Sequence, residues 1–284
     1  MLEVALQPLL GDRFAPARFA DVGPAEYFSP EGRTNLIVDS VPSMANRLEA
    51  VVWDEAADRY LPPLEELPFL ALEHPEHGLV DSVTQPARAG SPYLYPLLVK
   101  TFEKAVGKLK GQKARNALAG ALLRLDPNSV LHGVFMPSFR AAPGLPRLLT
   151  ASIDARDVSA VDSKGVRFDP LDESGSAEEG KGAILYGRRE YVSNQITAYF
   201  HLDLYRLRRY GFSNPAQQML TDLAVLKVLR FLRDGLHLRA GCDLKVVGTS
   251  EPLPDLPALE ERLRGSIRHL RETGELGERT VLKM

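Results

Sequence analysis

Apolar and polar positions alternate from Leu2 to Gln7, with Val4 and Leu6 against Glu3 and Gln7, which predicts a first strand. Asn35 to Asp39 reads as a short strand that runs into Ser-Val-Pro-Ser and then a helix reaching about Asp54. Ser43 suits its N-cap, and Met44, Leu48, Val51 and Val52 form its apolar stripe. Asn46 and Arg47 fall off that stripe. Further on, Lys100, Lys104 and Lys108 share one helical face and Phe102, Val106 and Leu109 the opposite one. Gly107 and Gly111 predict a break before a second helix from about Ala114 to Leu125. "VLHGVFMPS" and "RLLTASIDA" read as strands, the second with Leu149, Ala151, Ile153 and Ala155 in alternation. In "QITAYFHLDLYR", Ile196, Ala198, Phe200, Leu202 and Leu204 point one way, and Thr197, Tyr199, His201, Asp203 and Tyr205 the other. Asn214-Pro-Ala-Gln217 opens a helix that runs to Asp234-Gly235. "CDLKVVG" is a last strand, and Asp255 caps a C-terminal helix.

Other stretches lack such periods. Gly11 to Pro30 reads as an irregular arm, and Pro62, Pro63, Pro68 and Pro75 mark a loop-rich insertion. Asp169 to Gly182 has the composition of an acidic loop, followed by "AILYGRREYVS", one arm of a projecting hairpin. No internal repeat is visible. Mixed strands and helices predict an α+β fold with an antiparallel sheet and helices on one side. A ferredoxin-like core of the RNA-recognition type, carrying large insertions, fits the element count.

The 284 residues, 44% hydrophobic, suffice for one large domain with a real core. No apolar run spans a bilayer, the N-terminus lacks a basic region before an apolar core, and a single cysteine, Cys242, excludes an intrachain disulfide framework. These features predict a cytoplasmic protein without a membrane partner. The net charge of -2 is near neutral, but its distribution is uneven. Lys100 to Arg115 holds six basic residues against Glu103, whereas Asp54 to Glu76 holds seven acids against Arg59. That asymmetry fits a basic groove with an acidic back, head-to-tail self-association, or two solvated faces.

Enzyme signatures are missing: there is no phosphate-binding Gly-rich loop, no dinucleotide fingerprint and no nucleophile elbow. His74 and His77 are close in sequence without a third ligand, so no metal or other cofactor is expected. Asp39 reads as a turn former and His132 as a packed residue. Binding is better supported. A strand that passes through a small polar loop to a helix N-terminus makes an anion site, where Ser40, Ser43 and Asn46 can donate and Arg47 can add a bidentate contact. The same text also reads as an ordinary capped helix, with Arg47 pairing with Asp54, Glu55 or the sheet. Arg188, Arg189 and Tyr191 suit a strand of RNA, with guanidiniums on phosphates and a ring on a base. They equally suit a hairpin edge protected by charge. Tyr199 and Tyr205 are either a stacking platform or a floor under an inserted segment, and Arg206 to Arg209 solubilises a strand end.

One segment carries a resemblance: Asp39-Ser-Val-Pro-Ser-Met-Ala-Asn-Arg-Leu-Glu49, followed by Trp53-Asp54-Glu55. Supporting text stands at Gly11-Asp-Arg-Phe14, at "LHGVFM" (Leu131 to Met136), at "ITAYFHLDL" (Ile196 to Leu204) and at "LRAGCDLKV" (Leu238 to Val246). In this order the chain resembles the Cas-seven family of the RAMP superfamily, the backbone subunits of type I CRISPR surveillance (Cascade) complexes, in the type I-U or I-G branch.

The resemblance implies a single hand-shaped domain over 1-284. An RRM-like palm would comprise about 1-10, 35-55, 130-160 and 194-250, with fingers at 56-125 and a β-hairpin thumb at about 157-193. It implies a non-catalytic subunit that polymerises along CRISPR RNA and presents it for pairing with target DNA. Its partners would be other copies of itself, the large and guide-end subunits, and a recruited nuclease-helicase. Ser43, Met44, Asn46 and Arg47 match the palm segment expected at the RNA backbone. Arg13 is a further expected contact, and Arg188, Arg189 and Tyr191 are assigned to the thumb. The competing reading is a RAMP-superfamily endoribonuclease that cuts RNA with an acidic residue, for which Asp39 is the candidate.

Overall fold

The computed structural model describes residues 1–19, 23–168 and 183–283. The acidic loop expected at Asp169 to Gly182 lies outside them. The fold is mixed α and β around a curled antiparallel sheet of seven strands. From edge to edge the strands are His237–Arg239, Cys242–Thr249, Leu2–Pro8, Gln195–Leu202, Leu149–Arg156, Thr34–Asp39 and Glu26–Phe28. The helices of the described residues are α1 (Val41–Ala50), α2 (Tyr95–Val106), α3 (Gly111–Leu125), α4 (Pro127–His132), α5 (Leu204–Arg209), α6 (Asn214–Asp234) and α7 (Leu256–Glu272).

The period-2 patterns place the sheet. Leu149, Ala151, Ile153 and Ala155 are buried while their neighbours stay partly open, and Val4 and Leu6 do the same in the first strand. Helix α1 packs on Leu149–Arg156, α6 on Gln195–Leu202, and the two helices on each other. Because α6 lies between the sheet and α7, it is buried around much of its circumference, and Lys227, Asp222 and Arg230 are enclosed with its leucines.

Several boundaries differ from the sequence reading, each for a local reason. Ser40, not Ser43, caps α1: Ser40 has extended backbone, its hydroxyl accepts from the Ser43 amide at 3.5 Å, and Pro42 sits in the first turn. That helix ends at Ala50, because Trp53–Asp54 turns back to pair with Arg59–Tyr60. "VLHGVFMPS" is not one strand. Asp126 accepts from the Ser129 amide and Pro127 opens α4, so only Val134–Phe135 is extended. The strand read through to Tyr205 stops at Leu202, where Asp203 caps α5, and Leu204 is exposed instead of buried. Leu109 is also exposed, because α2 ends at Gly107 with positive φ. Ser213 rather than Asn214 caps α6, which ends at Gly235 as read. The arm from Gly11 to Pro30 contributes short strands, among them Arg13–Phe14, and buries Phe14. Cys242–Thr249 is followed by one more strand, Thr280–Leu282.

The insertion after α1 is anchored, not loose. Trp53, Tyr60 and Phe69 meet edge to face, with ring centroids 5.0 to 5.7 Å apart. Leu70–His74 pairs with Gly78–Asp81 on one side and, in parallel, with Thr280–Leu282 on the other. His74 and His77 stack with centroids 4.5 Å apart beside Tyr93.

A buried polar chain ties the insertion to the sheet helices. Arg88 grips Glu49 of α1 with two bonds of 2.6 Å, and Asn128 of α4 donates to the same carboxylate at 2.5 Å. The Asn128 carbonyl in turn accepts from Lys227 of α6, whose Nζ lies 2.9 Å from His132 Nε2. The Arg88 turn, α4 and α6 are thereby fixed around α1.

Candidate nucleic-acid interface

The N-terminus of α1 is held by charges from distant parts of the chain. Asp39, the last residue of its strand, is 1% exposed. Its carboxylate accepts from Arg47 Nε at 2.6 Å and lies 3.5 Å from Arg239 Nη2. Arg47 also donates to the Leu238 carbonyl at 2.6 Å, and Arg239 donates to the carbonyls of Val38 at 2.9 Å and Ala15 at 3.3 Å. The segment leaving α6 is thus clamped over the start of α1. Strands near opposite edges of the sheet order are joined across the curl.

The hairpin base meets the same turn. Ser159–Phe168 and Ala183–Val192 pair antiparallel in unbroken register, so the stretch read as one arm of a hairpin has its partner strand. Arg188 donates to the Ala240 carbonyl, and its Nε is 3.7 Å from Glu190, which Arg13 approaches at 3.2 Å. Ala15 donates to the Gly241 carbonyl at 2.7 Å. Gly241 has a φ of +77°, and a Cβ there would run into the Arg188 guanidinium. We expect Gly241→Ala to cost about 1–2 kcal/mol through the positive φ and the displaced Arg188. The check is a urea midpoint.

The network brings together Arg13, Arg47 and Arg188 of the residues singled out in the sequence, with Ser43 half-buried in the first turn of α1. It does not include all of them. Asn46 is exposed but faces away from Arg47, lining a hollow of 140 Å³ with Trp53, Glu55 and Thr84. Arg189 sits on the other face of its strand and bonds Asp162 at 2.9 and 3.3 Å, a partner that raises its pKa.

Two expected contacts are corrected. Met44 is wholly buried among the core side chains, because it falls on the α1 stripe that packs on the sheet, so it cannot reach an external strand. Tyr191 is 1% exposed. Its ring packs 6.5 Å from Phe14 and its hydroxyl donates to Glu26, so it pins the hairpin base to the arm and offers no free face for stacking. The sequence reading did not single out Arg239. It stands in the "LRAGCDLKV" text that supports the resemblance, beside Gly241 where the chain turns.

Chemically, Arg47 and Arg239 meet at Asp39 just before α1, while Arg13 and Arg188 meet at Glu190, and Arg188 reaches the same Leu238–Ala240 segment through the Ala240 carbonyl. Guanidiniums gathered in this way suit charge-assisted contacts to phosphate oxygens. Among the described residues there is no group of three or more potential metal ligands and no helix long and apolar enough to cross a membrane.

Comparison with known proteins adds one family. A family model described as CRISPR-associated protein GSU0053 matches residues 1–160. A solved chain from a "CRISPR RNA-guided surveillance complex, pre-nicking" aligns at 12% identity with a TM-score of 0.46, covering 96% of this chain and 89% of that one. No curated protein matches.

Proposed function

The chain belongs to the family of CRISPR-associated protein GSU0053, and from that premise we propose that it is a CRISPR RNA-binding backbone subunit of a Cascade-type complex. The observation that carries this reading is the chain of contacts that links Arg47 and Arg239 at the start of α1 with Arg188 and Arg13 at the neighbouring strand pair. The arginines stand on strands and a helix and are held there by carboxylates and backbone carbonyls. That fits a protein that holds the guide's backbone and leaves its bases to pair with target DNA.

The palm reading draws support from connectivity. Leu2–Pro8, α1, Leu149–Arg156, Gln195–Leu202, α6 and Cys242–Thr249 follow a β-α-β-β-α-β order, and the four strands lie in the spatial order fourth, first, third, second. That is the arrangement of a ferredoxin-like, RRM-like unit. Residues 56-125 are then fingers, and the hairpin Ser159–Phe168/Ala183–Val192 is the thumb. The I-G branch, polymerisation along the guide, and contacts with the large and guide-end subunits and a recruited nuclease-helicase belong to the same proposal.

The subunit is taken as non-catalytic. Asp39, the candidate for metal-dependent RNA cleavage, is enclosed and engaged by two guanidiniums, which supports a role in holding the turn.

The test is binding of labelled CRISPR RNA by fluorescence anisotropy with light scattering in parallel. An Arg13→Ala/Arg188→Ala variant should bind about ten- to a hundredfold more weakly and lose about two from the salt slope. Large RNA-dependent assemblies should form with the parent protein. RNA binding of equal strength in the parent and the variant, with both folded, would move the interface elsewhere.

A further inference from the structure

A second basic hollow lies at the other end of the sheet. In the pairing of Leu149–Arg156 with Gln195–Leu202, Arg156 stands opposite Gln195 at the hairpin end and Leu149 opposite Leu202 at the far end. Helix α5 begins just beyond Leu202, and the first turn of α3 stands against it. Gln112, Arg115, Tyr205, Arg206, Arg209 and Tyr210 line a cavity of 370 Å³ between the two helices.

Three features of this hollow point to one ligand chemistry. First, Arg115, Arg206 and Arg209 open onto it, and Arg206 is only partly neutralised, its Nε lying 3.2 Å from Asp203 at the surface. Exposed Lys110, Lys113 and Arg208 extend the charge along both helices. Second, the N-terminus of α3 has Lys110 at the cap position and no side-chain cap. Its first-turn amides and its dipole therefore favour an anion there. Third, Tyr210 is 4% exposed, yet its hydroxyl has no hydrogen-bond partner among the described residues. Burial holds its pKa up to about 12, so it keeps its proton and can only gain from an acceptor. An oxyanion seated against the floor of the hollow would supply that acceptor.

The rim distinguishes a nucleic-acid strand from a lone anion. Tyr205 is 64% exposed, its hydroxyl accepts from Arg209 at 3.0 Å, and the Arg209 guanidinium lies 5.5 Å from the ring centroid. A ring braced in that way beside a phosphate cradle is a base-stacking platform. We propose that the hollow between α3 and α5 is a second phosphodiester site, which holds one phosphate of a single-stranded nucleic acid at Arg115, Arg206 and Tyr210 with a neighbouring base on Tyr205. None of these residues belongs to the network at α1, so the site stands apart from that interface.

The test measures binding of fluorescein-labelled (dT)8 and (rU)8 to the full chain, both with the natural α1 network and in the Arg13→Ala/Arg188→Ala background. In that background residual binding should persist. Adding Arg115→Ala/Arg209→Ala should weaken it about tenfold and reduce the salt slope by about two. Tyr210→Phe, which removes only the unpartnered hydroxyl, should weaken it about threefold without lowering the melting temperature. Tyr205→Ala should weaken the oligonucleotides but not inorganic phosphate used as a competitor. Unchanged affinity in the folded Arg115→Ala/Arg209→Ala protein would overturn the proposal. So would binding of inorganic phosphate without binding of either oligonucleotide.

Discussion

Arg88→Ala is expected to destabilise the protein by about 3–5 kcal/mol. Arg88 is 3% exposed and Glu49 2% exposed, and the two are joined by paired bonds of 2.6 Å. Removing the guanidinium leaves the carboxylate in the core with Asn128 as its remaining donor among the described residues. The lost Coulomb partner then costs far more than a surface pair would. Replacing both partners, as Glu49→Gln/Arg88→Met, should cost much less than the sum of the single changes, because no charge is left stranded. Urea unfolding of the two single variants and the double variant gives the coupling directly. A loss below about 1 kcal/mol for Arg88→Ala would mean that water or a shifted side chain replaces the pair. Because Glu49 lies on α1, the same variant should loosen the turn that orders Arg47 and Arg239, and RNA affinity should fall with stability.

The second large effect is a dependence on pH. Lys227 is fully buried in α6, and burial brings its pKa down to about 7. An unfolded chain holds that proton to about pH 10.4. Between about 7 and 10 the unfolded state therefore binds more protons, and stability rises with pH across that window. The cost is fully present below 7. Its size is on the order of a few kcal/mol. Asp126 acts in the opposite sense at lower pH: burial raises it to about 6, so the stability it contributes is lost as pH rises from about 4 to 6. His132, held neutral by burial and by Lys227, contributes stability that is lost as pH falls below its ordinary range. Thermal melts from pH 6 to 10 should show a rise above pH 7 that Lys227→Met flattens. A parallel rise in the variant would place the titrating group elsewhere.

What the sequence made legible follows the physics of each signal. Period-2 burial is a one-dimensional pattern, and it located Leu149–Arg156 and the core of Gln195–Leu202 closely. Helix N-caps were legible where the polar residue stood alone, as at Asp255, and ambiguous where several stood together, as at Ser40 and Ser43. Arg47 illustrates what is lost. Its position off the apolar stripe was readable, and pairing with the sheet was among the options, but Asp39 is eight residues away and Leu238 nearly two hundred. Only the curl of the sheet brings them together. Tyr191 failed for a related reason: alternation on an unpaired strand does not say which face will be covered, and the covering residue, Phe14, comes from a stretch read as irregular. The buried chain from Glu49 to Lys227 had no sequence signal, because each member looks like an ordinary surface residue on its own element.

The parallel pairing of Thr280–Leu282 with Leu70–His74 sets a schedule for the insertion. The two strands are about 210 residues apart, and at roughly 5–20 residues per second a ribosome takes about 10 to 40 s to make the second after the first. During that interval the nascent strand Leu70–His74 has Gly78–Asp81 along one edge, and the edge that Thr280–Leu282 will cover stays open. An unpaired β edge is what chaperones and stray strands recognise. The vulnerable moment in the life of this chain therefore falls during its synthesis, before Thr280–Leu282 emerges to close that edge.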